Sequence, residues 1–433
     1  MTLSREGLDH ADTAHRQGRR RVKVLVLSTT FPNPRQPNLG VFVEERMRRV
    51  ARDCEVVVVA AVPWFPLNRL IRGTRWTGVP AVEERHGLAV HHPRFFCVPR
   101  YAKSLDGLLY AASLLPVLAK LRSSFRFDVI DAHFAYPDGL AAVLLGRMLK
   151  VPVMITLRGS IVRLSGYRLH RPQLRWALER ATGIVAVSKS LMRVACNLGI
   201  PEQKIRVIPN GVDSEAFRPL DRAAARAACG LPENRTIILS VGGVYEGKGH
   251  HLVIDALREL VRRRPDLLYV VVGTDVHGDR YRQRLEEMVE AHALREHVRF
   301  VGGRPHDELP TWYGAADLFC LATRSEGWAN VLLESLACGL PVVTTDVGGN
   351  AEIVRHGRDG LLVAFGDVPA LGGAIEAALA RQWDREAIVA HAQQYTWDRT
   401  AAAVVEELTA LVRPGQRGRQ VDVMTPSHVR SKS

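Results

Sequence analysis

At 433 residues the chain is too long for one ordinary hydrophobic core and suits two domains of roughly 200 residues each. Its 47% apolar and 24% charged residues exclude collagen-like, disordered and disulfide-scaffold classes. Net charge is +14, and residues 1–215 hold 33 Lys/Arg against 17 Asp/Glu while residues 216–433 hold 26 against 28. The whole excess lies in the first half, which points that half at an anionic partner: nucleic acid, an acidic membrane surface or a phosphorylated substrate. An arginine-rich background composition is the plain alternative.

Residues 1–20 are charged throughout, lack the apolar stretch of a secretory signal, and read as a disordered tail. Residues 22–28 (VKVLVLS) predict a buried strand, followed by a Pro/Gly-rich loop and the helical pattern VFVEERMRRVAR. Strands over 55–62, 127–130, 151–157 and 183–187 alternate with helices over 140–149 and 174–180, which implies right-handed crossovers and a parallel sheet. The apolar run 107–121 is broken by Pro116 and is shorter than the ~20 residues that span a bilayer, so no transmembrane helix is expected. The breaker-rich segment VIPNGVDSEAFRP (207–219) marks the domain boundary.

Beyond it the alternation restarts, with strands over 236–241, 267–272, 298–301, 318–321 and 341–344, and helices over 251–264, 280–292, 309–315 and 330–338. The expected fold is α/β, with two Rossmann-like doubly wound parallel-sheet domains facing across a cleft. Residues 21–212 form the first and 213–395 the second, a helix over 396–412 crosses back to the first, and 413–433 form a disordered tail. Six cysteines scattered singly (Cys54, Cys97, Cys196, Cys229, Cys320, Cys338) fit reduced core positions of a cytoplasmic protein, and none has zinc spacing.

A cleft between two such sheets gathers helix N-termini and favours a phosphorylated ligand. No GxGxxG turn follows the first strand of either half, which argues against a dinucleotide oxidoreductase. The most informative stretch is SEGWANVLLESLACG (325–339). Glu334 lies in an otherwise apolar helix, where an unpaired carboxylate is costly, so it has a partner: either a structural ion pair or the hydroxyls of a ligand. Glu326, in the loop before that helix, is either a solvated charge or a second ligand contact. In PWFPLNRLIRGTRW (63–76), Arg69, Arg72 and Arg75 interleave with Trp64, Phe65 and Trp76, a composition that suits a lipid headgroup interface; no nucleic-acid motif accompanies it.

EGWANVLLESLACGLPVVTTDVGGNAEIV resembles the E-x7-E region of the retaining glycosyltransferases of family 4, which have the GT-B fold. PNLG with VFVEERMRRV, DVIDAHFAYPDGLAA, VPVMITLRGS, VIPNGVD with Phe217, LSVGGVYEGKGHHLVIDAL and YGAADLFCLAT follow in that family's order, covering about residues 22–412. Within the family the chain looks most like bacterial teichuronic-acid and exopolysaccharide enzymes.

The resemblance implies a retaining, metal-independent transferase that uses a UDP- or GDP-sugar, acts on a saccharide or lipid-linked acceptor in cell-surface polysaccharide or glycolipid synthesis, and needs no cofactor. The enzyme would work at the cytoplasmic face of the membrane, with its first domain on an anionic surface and no nucleic-acid partner. By the same resemblance, Glu334 meets the donor ribose, and Glu326 with Gly327, Trp328, Ala329, Asn330 and Val331 holds the donor sugar. Lys248, Gly40, Gly242 and Gly243 meet the diphosphate, Gly303 and Arg304 complete the donor pocket, His133 lies by the reacting sugar, and Arg158 and Gly159 face the acceptor or a phosphate. His133, Lys248 and Glu326 are the catalytic candidates. Two positions depart from the family: Gly243 stands where many relatives have arginine, and Ile161 follows Ser160 where relatives often have aspartate. An epimerase or phosphorylase-like enzyme of the same fold, or a catalytically silent sugar-nucleotide-binding subunit, are the rival readings.

Overall fold

The computed structural model describes residues 20–66, 78–98, 102–275 and 280–413. The tails expected at 1–20 and 413–433, apart from Arg20 and Arg413, lie outside them, as do Arg69, Arg72, Arg75 and Trp76.

Sixteen strands are described: β1 Lys23–Leu27, β2 Glu55–Val59, β3 Val62–Trp64, β4 Val82–Arg85, β5 Leu88–His91, β6 Arg94–Phe96, β7 Val129–His133, β8 Val153–Leu157, β9 Gly183–Ala186, β10 Ile205–Val207, β11 Thr236–Val241, β12 Leu267–Val272, β13 Val298–Gly302, β14 Leu318–Leu321, β15 Val342–Thr345 and β16 Gly360–Val363. The α-helices are α1 Val41–Val50, α2 Asp106–Ser124, α3 Leu140–Leu149, α4 Ser160–Leu164, α5 Arg171–Arg180, α6 Lys189–Cys196, α7 Arg222–Cys229, α8 His250–Arg263, α9 Tyr281–Ala291, α10 Leu309–Ala315, α11 Asn330–Ala337, α12 Asn350–Ile353, α13 Val368–Ala380, α14 Arg385–Ala392 and α15 Trp397–Val412.

The first sheet runs β10-β9-β8-β7-β1-β2-β5-β4 and the second β13-β12-β11-β14-β15-β16, while β3 and β6 pair alone. Every neighbouring pair is parallel except β4 with β5. Parallel strands are buried on both faces, which is why VKVLVLS and TIILSV read as nearly continuous apolar runs. In each sheet the strand order reverses beside the first strand. The loops after β1 and β7, and those after β11 and β14, are therefore left free to form a crevice at the strand C-termini. Helix α15 returns to the first domain: Ala401, Val404 and Leu408 share a core with β1 and α1, and Thr400 Oγ1 donates to the Pro209 carbonyl at 2.9 Å.

The structure corrects one premise of the expectation that no helix spans a membrane, namely that the apolar run is short and broken at Pro116; the expectation itself is not overturned. Residues Lys103–Ser124 form a continuous helical stretch of 22 residues, long and apolar enough by length and composition to cross a bilayer, with Pro116 inside it. Proline survives there because it sits on the outward face, where its missing N–H leaves the Ala112 carbonyl open to solvent rather than orphaned in the core. The opposite face, Tyr110, Leu114 and Leu118, is fully buried in the core of the first domain.

Candidate functional site

Two buried clusters meet across the crevice. In the first domain, Gly40 adopts φ 71° as the residue before α1, and a Cβ there would lie 2.3 Å from the Thr30 carbonyl oxygen, so only glycine fits. From β7 come Asp131 and His133, both fully buried. Arg158, at the end of β8, donates from Nη2 to His133 Nδ1 at 3.0 Å, which assigns the ring proton to Nε2. That Nε2 is 3.2 Å from Asp131 Oδ2 but poorly aligned for a hydrogen bond. Burial pushes His133 down to about 4, against the pull of Asp131. Burial would raise Asp131, but His133 and Arg46 hold it below the ordinary carboxylate range.

Arg46 lies 3.4 Å from Asp131 and is itself fully buried. The Phe42 ring closes over the Arg158 guanidinium at 4.4 Å. His133 and Arg158, expected to project into the cleft, are thus sealed beneath α1 in a charge cluster that no sequence spacing announces, because its members come from α1, β7 and β8.

The second cluster belongs to the other domain. Lys248 Nζ donates to Glu326 Oε1 at 2.6 Å, and Thr323 Oγ1 donates to the same oxygen at 3.0 Å. Burial would lower Lys248, but Glu326 raises it above the usual lysine value. The expected diphosphate cation is therefore charged and already paired. Glu334 projects from α11, with Oε1 3.1 Å from His306 Nε2 and Oε2 accepting from Tyr313 at 3.0 Å. Burial would lower His306, yet the hydrogen bond and charge of Glu334 hold it above its ordinary value. Neither His306 nor Tyr313 was named as a site residue from the sequence, although Tyr313 opens the quoted YGAADLFCLAT and His306 follows Arg304 by two residues.

A cavity of about 320 Å³ opens between the domains. Gly242, Gly243, Gly303, Arg304, Asn330, Val331 and Glu334 line it, together with Asn38, Phe42 and Glu45 from the first domain. Lys248, Glu326, Gly327, Trp328, Ala329, Gly40, His133, Arg158 and Gly159 do not. Of these, Gly159 and Gly327 lie where the domains touch: a Cβ on Gly327 would come 2.7 Å from the Gly159 nitrogen, so the two loops meet backbone to backbone. Trp328 is buried against Tyr395, and Ala329 precedes α11.

Several hydrogen bonds join the two domains, among them those that Glu352 of α12 accepts from the Lys189 and Ser190 N–H groups at the start of α6, at 2.8 and 2.9 Å. Asn38 donates to the Arg304 carbonyl at 2.9 Å, and Asn210 Nδ2 donates to Asn330 Oδ1 at 3.0 Å while its own oxygen accepts from Arg158 at 3.3 Å. Asn210 thus links the first cluster to α11, a role that VIPNGVD did not reveal. Among the described residues no group of three or more His, Cys, Asp and Glu side chains is placed to hold a metal ion.

Two facing Rossmann-like domains with a cavity at their paired switch points define the GT-B class. A model of glycosyl transferases group 1 matches residues 221–395, and one of glycosyltransferase family 4 matches residues 40–216. The chain belongs to glycosyltransferase family 4 and is a glycosyltransferase.

It is 32% identical over 298 residues to the lipopolysaccharide core biosynthesis mannosyltransferase LpsB of Rhizobium meliloti, covering 64% of this chain and 80% of that one. To the D-inositol 3-phosphate glycosyltransferase of Thermobispora bispora it is 29% identical over 400 residues, 87% of each chain. The finer likeness to teichuronic-acid enzymes is not what these relatives show. Among solved structures, sucrose-phosphate synthase from Thermosynechococcus elongatus superposes with a TM-score of 0.74 at 20% identity, covering 90% of this chain and 99% of that one. Anabaena HepE in complex with UDP-glucose superposes at 0.70 and 20% identity, covering 90% and 100%.

Proposed function

We propose that this glycosyltransferase moves a sugar from a nucleotide donor to a hydroxyl of a saccharide or lipid-linked acceptor, with retention of anomeric configuration and without a metal ion, at the cytoplasmic face of the membrane. The observation that carries the donor assignment is Glu334. His306 and Tyr313 occupy one acceptor position on each of its oxygens, which leaves each oxygen a further lone pair for a vicinal diol, and the carboxylate lines the interdomain cavity. A ribose is such a diol.

Gly242 and Gly243 then bring backbone against the diphosphate, and Lys248 supplies the cation. Lys248 stands behind the cavity-lining Gly242, and its bond to Glu326 would keep the ammonium charged and paired when the donor is absent. Charge developing on the leaving diphosphate is met by that ammonium, by backbone N–H groups and by the N-terminus of α11. His133, neutral and fixed in one tautomer by Arg158, positions the floor beneath the reacting sugar. In this reading Gly243 removes one cationic contact and shifts the load to Lys248.

UDP- and GDP-sugars are the donors to test first, with acceptors drawn from soluble and lipid-linked glycosides. Nuclear magnetic resonance of the product reads the anomer, and retention with activity undiminished by EDTA is the expected result. Inversion, or loss restored by Mg²⁺ or Mn²⁺, contradicts the mechanism.

A further inference from the structure

The outward face of α2 has no partner in the fold. Leu105, Leu108, Ala112, Pro116 and Ala119 recur at spacings of three and four, so they share one side of the helix, and all five are exposed, Leu105 and Leu108 by about half. The uncharged strip runs about 21 Å at 1.5 Å per residue. The helices packed around α2 are rich in basic residues.

Helices α2, α3, α4 and α5, with their adjoining turns (103–126, 140–150 and 160–180), carry eleven Lys/Arg against two Asp/Glu. Both acids are already paired, Asp106 with Lys103 and Glu179 with Arg175. Aromatic and aliphatic side chains stand at the flanks. Trp64, 46% exposed, packs edge-on against Phe96 beside Ser113 of α2; on the other side lie Tyr167 and Leu169, 45% and 64% exposed.

We propose that this strip and its basic face are the surface by which the first domain docks on an anionic lipid bilayer. The proposal rests on the lipid-linked-acceptor reading and adds the contact surface to it. Apolar side chains on a basic face, with exposed Trp and Tyr beside them, match a headgroup boundary. A second copy of the chain would bring one basic face against another, so charge disfavours a self-contact.

Docking is shallow. Tyr110, Leu114 and Leu118 on the reverse face belong to the core, so the helix lies along the surface instead of crossing it. The strip also starts beside the catalytic crevice. The Tyr136 hydroxyl accepts from the Gly107 N–H at 3.1 Å and donates to the Lys103 carbonyl at 2.6 Å, and Tyr136 follows His133 by three residues. A lipid-borne acceptor held in the bilayer therefore presents its sugar at the first domain's side of the cleft.

The test is sedimentation of the full chain with vesicles of phosphatidylcholine mixed with phosphatidylglycerol, and with phosphatidylcholine alone. The parent is expected to bind the anionic vesicles and to be released by salt, and Leu105→Glu with Leu108→Glu is expected to weaken binding about tenfold or more. Leu220→Glu, at an exposed leucine of the other domain, is expected to bind as the parent does. If the double variant loses its circular dichroism or its affinity for nucleotide, Ala119→Glu decides instead: the same loss supports the surface, and parental binding overturns it. Equal binding of the folded double variant and the parent overturns the surface while leaving membrane association standing. No binding by the parent, with transfer to a soluble acceptor intact, overturns both. A dimer that the double variant dissociates, without vesicle binding, overturns the proposal in favour of a contact between copies.

Discussion

His133 and Glu326 show how differently two sequestered environments can use a polar side chain. His133 is neutral because burial outweighs the adjacent carboxylate, and its folded-state value near 4 lies below its ordinary one. A base whose value is depressed on folding contributes stability that is whole above pH 6.5 and drains away as pH falls toward 4, because the unfolded chain takes up the proton first. Thermal midpoints measured from pH 7.5 to 4 are expected to fall across that window, and less steeply in His133→Gln; an identical slope removes His133 as a cause.

Glu326 is fixed by Lys248 and Thr323 rather than by solvent. Glu326→Ala is therefore expected to lower turnover by tenfold or more while changing nucleoside diphosphate affinity by less than about threefold, since its assigned partner is the sugar. Kinetics set against calorimetry check this, and equal losses in both contradict the assignment. Glu334 was legible as a carboxylate in need of a partner, because its helix is otherwise apolar. His306 and Tyr313 were not, because they come from a separate segment that only the tertiary fold brings to it.

At the scale of elements, the sheets were readable because both consist of buried parallel strands with nearly continuous apolar runs. The β4–β5 hairpin and the short β3–β6 pair were not, since VEER and LAVH are half exposed and carry mixed polarity. Helix α2 was misjudged for a physical reason: Pro116 suggested an interruption, whereas a proline on the solvent face bends or loosens a helix without ending it.

The loops that meet at Gly159 and Gly327 belong to different domains, so their contact was invisible to spacing. It yields a firm expectation. Gly327→Ala places a methyl carbon 2.7 Å from a backbone nitrogen that has little room to give. It should hold the domains apart and reduce turnover by an order of magnitude or more, with nucleoside diphosphate binding nearly unchanged, because a misplacement of about 1 Å costs on the order of a hundredfold in rate. Parental turnover would mean that this close approach is not needed for transfer.

The whole molecule divides its labour along the charge asymmetry. The basic first domain supplies the buried Arg46, Asp131, His133 and Arg158 cluster and the exposed strip of α2, while the near-neutral second domain supplies Lys248, Glu326 and Glu334. Between them, Asn38 and Asn210 bond across the cleft, and α15 ties the chain's end back to the first domain. The central claim is that the cavity at Glu334 receives a nucleoside diphosphate through its ribose. Titration calorimetry of the parent and Glu334→Gln with UDP and with GDP tests it most directly. The account predicts one site per chain for one of these nucleotides, and about tenfold weaker binding in the variant, as expected when a charged acceptor becomes an amide with one oxygen. Binding of neither nucleotide by the parent, or equal affinity in a correctly folded Glu334→Gln, would contradict it.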